Sequence, residues 1–472
     1  MGRCSAPLTS FLLNQPDNSQ QSNSCSLFCC TCFRPLHQLS SSHPDLPPRR
    51  ALPPPFQNLK TSPRPHLRIR GSSTASPAPR NLHAMSVSLQ HRASDSSDGI
   101  DRIAEEKQKL TVNATPSTRK QDALGLDDAD RQSTTNRFKT FRSAFKYIHH
   151  LTPKQVDDYM HSYVIYNLDW ADEDAMVKEL GPDYQAKVGE CLKAYYGIIN
   201  HLCAMGDVEK MYIPPHMDKR ANVIENQLLY EKAVARAIGM KAGDKVLDLG
   251  CGRGRVAAHM ASMTGATVTG LNIDPNQVAQ AQEFNNQKGF KNNFVQQDMN
   301  TLPLPFADNS FDCFYQIQAL SLCKDLPALF REVYRVLKPG AKVSLLDWVS
   351  LPGYDPSNPE HLALMRRVKP LIGAVGTPTP KSFEKALEDA GFVVTKSENA
   401  SIDGLQAPLI DRVDIYFRTM RQIILGLVKI KVLPQHFKTL INRLCLDGQA
   451  FVKMDRMRLI TTSYWIVAEK PQ

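Results

Sequence analysis

The stretch Lys245-Val246-Leu247-Asp248-Leu249-Gly250-Cys251-Gly252-Arg253-Gly254 decides the fold, because an apolar run of β type ends there in an acid and three alternating glycines before helix-forming sequence begins. The pattern predicts a strand, a tight turn and a helix. Glycines at 250, 252 and 254 permit positive φ and remove the Cβ atoms that would hold a ligand at a distance. The helix that follows offers N–H groups with no partner inside it. A ligand is therefore expected against bare backbone at this turn. The dinucleotide fingerprint G-x-G-x-x-G carries its third glycine one place later and seats a pyrophosphate on the helix N-terminus. Here the spacing is D-x-G-x-G-x-G, and Asp248 suits a cationic group, directly or through water.

Outward from this turn, the chain of 472 residues exceeds the usual size of a single core, so one large or two modest domains plus a tail are expected. Residues 1–92 hold ten Lys/Arg against Asp17 and Asp45, so +8 of the net +10 lies there and the remainder is nearly neutral. The basic balance thus gives no support for a nucleic-acid surface. The same 92 residues carry 13 of the 32 prolines and runs such as Leu52-Pro53-Pro54-Pro55, with too few apolar side chains to offset the cost of ordering. A disordered tail is expected. Arg- and Ser-rich and poor in acids, it also fits an organelle transit segment, while Met85 offers an alternative start. Cys29-Cys30-Thr31-Cys32 lacks regular zinc-ligand spacing, and no metal site is expected. The six cysteines beyond the tail are scattered and match a reducing compartment.

From Phe138 to about residue 204 the pattern is helical: Phe138, Phe141, Phe145 and Ile148 recur at three and four, and Thr152-Pro153 supplies an N-cap and a first-turn proline. Tyr184, Val188, Cys191, Leu192, Tyr195, Tyr196 and Ile199 form a stripe that reads as core packing. Residues 205–218 read as a proline-containing loop with aromatic, acidic and His side chains, of the kind that closes over a site. From 231 onward short apolar runs alternate with amphipathic helical ones, the signature of a parallel α/β sheet. Strands are expected at Lys245–Leu249, Thr267–Leu271, Asn293–Gln296, Phe311–Gln316, Lys342–Asp347, Phe392–Lys396 and Leu459–Ala468. A helix Leu326–Leu337 should end in Lys338-Pro339-Gly340. Some sixty mostly helical residues before the last strand suggest an accessory domain. The organisation expected is a tail (1–92), an N-terminal helical cap (138–230), a ligand-binding α/β domain (231–400) and a C-terminal domain (401–472).

Two further stations follow the glycine turn. Strand two ends in Gly270-Leu271-Asn272-Ile273-Asp274, 24 positions after Asp248, where a doubly wound fold places a side chain that grips ribose hydroxyls. Asn272 can donate and accept there, and Asn272 or Asp274 can also cap the helix opening at Pro275. Next, Phe294-Val295-Gln296-Gln297-Asp298-Met299 ends a strand in an acid able to accept from an adenine amino group.

With all three stations in place, the chain resembles the class I S-adenosylmethionine-dependent methyltransferases, whose ligand carries a carboxylate and an ammonium but no phosphate. The resemblance narrows at three places: Leu304-Pro305-Phe306-Ala307-Asp308-Asn309-Ser310-Phe311-Asp312, Glu332-Val333-Tyr334-Arg335-Val336-Leu337-Lys338-Pro339-Gly340, and Asp347-Trp348-Val349 with Tyr354-Asp355-Pro356-Ser357-Asn358-Pro359-Glu360-His361. These, with Thr461-Thr462-Ser463-Tyr464-Trp465-Ile466-Val467-Ala468-Glu469-Lys470-Pro471, are similar to the sterol 24-C-methyltransferase family over about 182–471. The resemblance implies a seven-stranded Rossmann-like sheet with N-terminal helices and a helical C-terminal accessory domain. It implies S-adenosyl-L-methionine as cofactor, held by Asp248, Gly250, Cys251, Gly252 and Gly254 of the turn and by Asn272, Gln277, Gln297 and Asp298. It also implies methyl transfer to a sterol or triterpenoid alkene carbon. Such chemistry asks for positioning, dry walls and aromatic faces toward a carbocation, and then for a base.

Two departures bear on that base. Where the family carries an Ile-Glu-Ala-Thr-like sequence, this chain has Ile317-Gln318-Ala319-Leu320, so a neutral amide replaces an acid. The Tyr-Glu-x-Gly-Trp-Gly-type segment becomes Glu209-Lys210-Met211-Tyr212-Ile213-Pro214-Pro215-His216, which makes Glu209, Tyr212 and His216, with Gln318, the catalytic candidates. A rival reading keeps the cofactor for an O-, N- or C-methyltransferase of a polyketide or other small metabolite, with His216 as base. Another makes the chain a binding or scaffold protein that kept the cofactor loop. No run reaches the 18 or so apolar residues of a membrane span, and the stripe Leu409, Val413, Tyr416, Phe417, Met420, Ile423, Ile424 and Leu427 suits either packing or a lipid surface. A cytoplasmic protein is expected, with peripheral contact at the endoplasmic reticulum or a lipid droplet as the membrane version.

Overall fold

The computed structural model describes residues 121–131, 137–170, 172–206 and 208–472. The expectations for residues 1–92 lie outside this set. Seven strands, β1 Lys245–Leu249, β2 Thr267–Asn272, β3 Asn293–Gln296, β4 Phe311–Ile317, β5 Leu337–Ser350, β6 Val393–Asn399 and β7 Ile460–Glu469, form one sheet in the order β3-β2-β1-β4-β5-β7-β6. Strands β1 to β5 pair in parallel, and β7 runs antiparallel between β5 and β6. The apolar runs are continuous rather than alternating because helices cover both faces of the sheet. On one face Leu329, Phe330 and Val333 of a helix at Leu326–Val336 pack with Phe383 and Leu387 of another at Pro380–Asp389. On the other, Tyr230 and Val234 of Val223–Ala237 meet Ala257 and Met260 of Arg255–Thr264.

The chain order of helices is α1 Asp128–Arg131, α2 Arg137–His149, α3 Pro153–His161, α4 Glu173–Leu180, α5 Tyr184–Met205, α6 Val223–Ala237, α7 Arg255–Thr264, α8 Pro275–Lys288, α9 Leu326–Val336, α10 Pro359–Ile372, α11 Pro380–Asp389, α12 Ala407–Lys429, α13 Gln435–Leu444 and α14 Gly448–Arg456. Their starts follow local chemistry. Thr152 and Gln155 close a capping box on α3 with Pro153 in the first turn, and Asn222 with Glu225 does the same for α6. Asp274 caps α8 through Oδ1, which accepts from the Asn276 N–H at 2.8 Å, so Asn272 is left to other work.

Three expectations change. α9 ends at Val336, and Leu337 pairs at once with Phe311, so Lys338-Pro339-Gly340 lies within β5 rather than closing the helix. Gly340, at φ +75°, bends the strand there and donates its N–H to Lys470 O. The boundary at 400 separates no two bodies. Ile424 and Val428 of α12 and Phe437 and Leu440 of α13 share one core with Ile148, Tyr159, Tyr195 and Ile198 of the N-terminal helices, and β7 completes the sheet. The aromatic stripe of α2 is split, with Ile148 buried and Phe138 75 % exposed. Among the described residues no helix is long and apolar enough to cross a membrane.

Beneath the glycine turn lies a buried ionic network. The Glu231 carboxylate accepts from Lys210 Nζ at 2.7 Å and from the Tyr212 hydroxyl at 2.6 Å, and it lies 2.6 Å from His259 Nδ1. The other ring nitrogen of His259 is 3.1 Å from Asp130, which also pairs with Lys232 Nζ at 2.8 Å. An imidazole between two carboxylates satisfies both only by donating from both nitrogens. Burial pushes the Asp130 carboxyl up, but the hydrogen bonds from His259 and Lys232 outweigh it and hold it well below the usual carboxylate range. Removing one partner from such a cluster strands the rest. Asp130→Ala should therefore cost about 3–5 kcal/mol in urea unfolding, and an unchanged midpoint would show that α1 merely rests on α7.

Candidate functional site

The strand order reverses between β1 and β4, and in open α/β sheets ligands bind beyond the strand ends at that point. A cavity of about 240 Å³ lies there. Its floor comes from the turn after β1. Gly250, Gly252 and Gly254 all have positive φ, at +78°, +53° and +70°, and the N–H groups of Gly250 and Cys251 donate to Leu271 O, fastening the turn to the end of β2. The three glycines do different jobs. A Cβ on Gly250 would lie 2.3 Å from that of Ala319, and one on Gly254 would strike Phe294 and Ala281, so these two allow the turn to pack on protein. A Cβ on Gly252 would meet only Gln277 Oε1 at 3.5 Å and otherwise project into open space. Gly254 is not among the residues that line the cavity, and the absence of its Cβ serves close packing on Phe294 and Ala281.

Asp248, Gly250, Cys251, Gly252, Asn272, Gln277, Gln297 and Asp298 all line the cavity. Asp248 is buried and accepts from the Tyr315 hydroxyl at 2.9 Å, and burial pushes its carboxyl up to about 7. Asn272 Nδ2 donates to Gln277 Oε1 at 3.1 Å, joining the end of β2 to the first turn of α8. Asp298 Oδ1 accepts from the backbone and side-chain N–H groups of Asn300, both at 2.9 Å.

The four catalytic candidates part company. Glu209 lines the cavity with Oε2 paired to Arg255 Nε at 3.1 Å and Oε1 accepting from Thr140 at 2.7 Å. Tyr212 lines it too, but its hydroxyl is spent on Glu231, and burial raises its pKa well above the ordinary value, so it offers the cavity a ring rather than a base. His216 is off the cavity altogether: its side chain is buried, its Nε2 has no partner, and its backbone N–H donates to Ser401 Oγ at 3.0 Å. Its carbonyl accepts from the Ile402 N–H at 2.9 Å, so its backbone is tied on both sides to residues 401–402. Gln318, in the left-handed region at φ +51°, is a brace. Its Oε1 accepts from the Ile213 N–H at 3.0 Å, and its Nε2 donates to the carbonyls of Ile213 and Thr462, both at 2.7 Å. Further ties from Gln227 to Lys210 O and Tyr212 O, and from Gln406 to Pro214 O, make the 208–216 loop a fixed wall instead of a lid.

The opposite wall is α5 with Trp170. The whole apolar stripe packs with the helical core as read, and of its members Val188, Leu192 and Tyr196, with Asn200, also reach the cavity, while Cys191, Tyr195 and Ile199 do not. The stripe read as core thus has two faces, and Tyr196 and Trp170 were not expected in the site. Burial, with Asp347 nearby, pushes the Tyr196 hydroxyl up to about 12, so it stays protonated. Arg253, the variable residue of the glycine turn, was also missed; its side chain lines the cavity with Nε enclosed and unpartnered.

A family model described as a methyltransferase domain matches residues 247–345. A sterol 24-C-methyltransferase of Yarrowia lipolytica is 30% identical over 247 residues, spanning 51% of this chain and 63% of that protein. Squalene methyltransferase 1 of Botryococcus braunii is 29% identical, over 52% of this chain and 67% of its own length. A sterol 24-C-methyltransferase of Gibberella zeae is 30% identical over 264 residues, or 51% of this chain and 69% of that protein. The chain belongs to the sterol 24-C-methyltransferase family. Like the family it is an S-adenosylmethionine-dependent methyltransferase.

Two predictions follow from the site. The carboxyl of Asp248 titrates near 7, and an ammonium prefers it ionised, so affinity for S-adenosylhomocysteine should rise about tenfold between pH 6 and pH 8. Calorimetry on the wild type and Asp248→Asn decides it: the dependence should vanish in the variant, and a flat wild-type profile would remove Asp248 from the ammonium. For Gln318→Glu the expectation is lost stability rather than regained activity, because a carboxylate would face two carbonyl oxygens at the cost of about 1–3 kcal/mol. That contact raises the folded-state pKa of the introduced acid, so the loss should grow as pH rises. Urea unfolding at pH 5.5 and pH 8 that gave equal losses would count against the brace.

Proposed function

We propose that the protein methylates a side-chain alkene carbon of a sterol or triterpenoid. The observation that carries this reading is the state of the polar groups in the cavity: each side chain advanced as a base is already engaged or lies elsewhere. Glu209 is ion-paired, the Tyr212 hydroxyl serves Glu231, Gln318 is a neutral brace and His216 is outside. A phenol or amine acceptor needs a group to take its proton as it attacks. An alkene attacks with its π electrons and needs none at that step. Around the remaining space Trp170, Val188, Leu192, Tyr196, Met211, Tyr212 and Leu322 supply apolar or aromatic walls, with Gln185, Asn200 and Ser321 as uncharged polar groups among them.

S-adenosylmethionine supplies an electrophilic sulfonium methyl when bound. The residues present fit it: Gly252 leaves its Cβ position open, Asp248 offers an acid to the ammonium, Asn272 and Gln277 offer amides to ribose hydroxyls, and Asp298 offers a carboxylate to the adenine amino group. The remaining work belongs to the walls. They hold the alkene in line with the methyl and keep water out, since positioning alone removes much of such a barrier. Formation of the C–C bond leaves a positive charge on the acceptor's carbon skeleton. The faces of Trp170, Tyr196 and Tyr212 stabilise it by about 0.5–2 kcal/mol each until a proton passes from the skeleton to a base, and the Glu209 carboxylate, which lines the cavity, is the group offered to take it at that later step. The names of the sterol and squalene methyltransferase relatives agree with a large isoprenoid acceptor.

Incubation with methyl-labelled S-adenosylmethionine and a panel of side-chain-unsaturated sterols, linear triterpenes and phenolic polyketides tests this. Mass spectrometry should find the label on a side-chain carbon. Label on a phenol oxygen with none on any isoprenoid would overturn the reading.

A further inference from the structure

Four cations line the cavity, and three are accounted for. Lys210 is spent on Glu231, Arg255 pairs with Glu209 and covers the Phe284 ring at 3.6 Å, and Lys324 is exposed at the rim. Arg253 is different. One terminal nitrogen donates to Glu209 O at 2.9 Å, its Nε is enclosed without a partner, and no carboxylate among the described residues pairs with it. A guanidinium removed from water beside a lone carbonyl is costly unless something anionic completes it. Burial lowers its pKa against the attraction of the Glu209 carboxylate, which is itself paired with Arg255 and makes no bond to Arg253. It also follows Gly252 in the chain, the one glycine of the turn whose Cβ position opens onto the cavity, and it shares the turn with Asp248. An acid and a cation with an enclosed, unpartnered donor on one short loop are the complement of an amino-acid zwitterion.

We propose that Arg253 is the carboxylate-binding residue of this site, closing a charge-assisted hydrogen bond to the amino-acid end of the cofactor while Asp248 takes the ammonium. The proposal rests on the cofactor reading and adds to it the group that selects an intact amino-acid tail. Planar guanidinium donors match a carboxylate in a way that a lysine ammonium does not. Arg253 therefore acts as a specificity-determining residue, discriminating the nucleoside with its carboxylate from the same nucleoside without it.

The test measures binding by calorimetry, and it needs no turnover. S-adenosylhomocysteine and its decarboxylated analogue are titrated into wild type, Arg253→Met and Arg253→Lys. Wild type should prefer the carboxylate ligand by roughly 10- to 100-fold, as a charge-assisted bond implies. Arg253→Met should lose that factor for S-adenosylhomocysteine and leave the analogue's affinity unchanged, with Arg253→Lys between the two. The ligand-free Arg253→Met protein should melt no lower than the wild type, since a buried charge with an unpartnered donor has gone. Equal losses for both ligands would make Arg253 a packing residue and overturn the assignment. Undiminished affinity of Arg253→Met for S-adenosylhomocysteine would overturn it as well and hand the guanidinium to an anionic acceptor. Failure of the wild type to bind either nucleoside would sink the cofactor reading itself.

Discussion

The Glu231 carboxylate is the point on which the rest of the structure turns. It is fully buried on α6, yet it gathers a lysine and a tyrosine from the loop that walls the cleft and a histidine from the helix that follows the glycine turn. An isolated carboxylate in such a place would be driven to its neutral form, and here the opposite holds: against the burial that pushes it up, Lys210 and His259 keep it below the ordinary glutamate range. The network is then a register device. It fixes where the 208–216 loop stands relative to α7 and the glycine turn that floors the cleft, and His259 passes the same constraint to Asp130 more than a hundred residues earlier.

Such rigidity suits a reaction whose electrophile arrives ready-made. The protein's part is then to hold two reactants in line and to avoid supplying a competing nucleophile or water. That explains why the polar side chains around the cavity are tied to one another: Glu209 to Arg255, Tyr212 to Glu231, Gln318 to two backbone carbonyls. Three of the four candidates marked in the sequence, Glu209, Tyr212 and Gln318, are in three dimensions struts, and the fourth, His216, lies off the cavity. Aromatic faces remain as the means of answering positive charge without forming a bond to it.

How legible all this is in the sequence depends on the range of the forces involved. The glycine turn, the capping boxes and the strand ends at Asn272 and Asp298 are set by neighbours within a few residues, and they read directly. Tyr195 and Tyr196 do not, because adjacent helical positions lie about 100° apart, and nothing local says which of two apolar faces also meets a cavity. Gln318 reads as an acid lost, whereas its partners lie at Ile213 and Thr462, far away in the chain. Arg253 occupies the variable place of a motif otherwise read for its glycines, and only its enclosed, unpartnered Nε in the folded chain sets it apart. His216 has the right chemistry at a shifted spacing, and its backbone bonds to Ser401 and Ile402, far away in the chain, lie off the cavity.

The position of β7 has consequences for how the chain reaches this state. It pairs with β5, which ends at Ser350, and with β6, which ends at Asn399, yet it begins only at Ile460. Any partly folded species built from the earlier segments presents the bare, apolar edge of β5 to solvent, and β6 has no neighbour at all. Closing that gap means ordering more than a hundred intervening residues, which slows the last step and leaves an open edge exposed to other chains. The helices α12 to α14 fold within this interval, so they bring β7 to its slot, and their packing against the N-terminal helices sets how long the molecule remains vulnerable to aggregation and proteolysis during its synthesis.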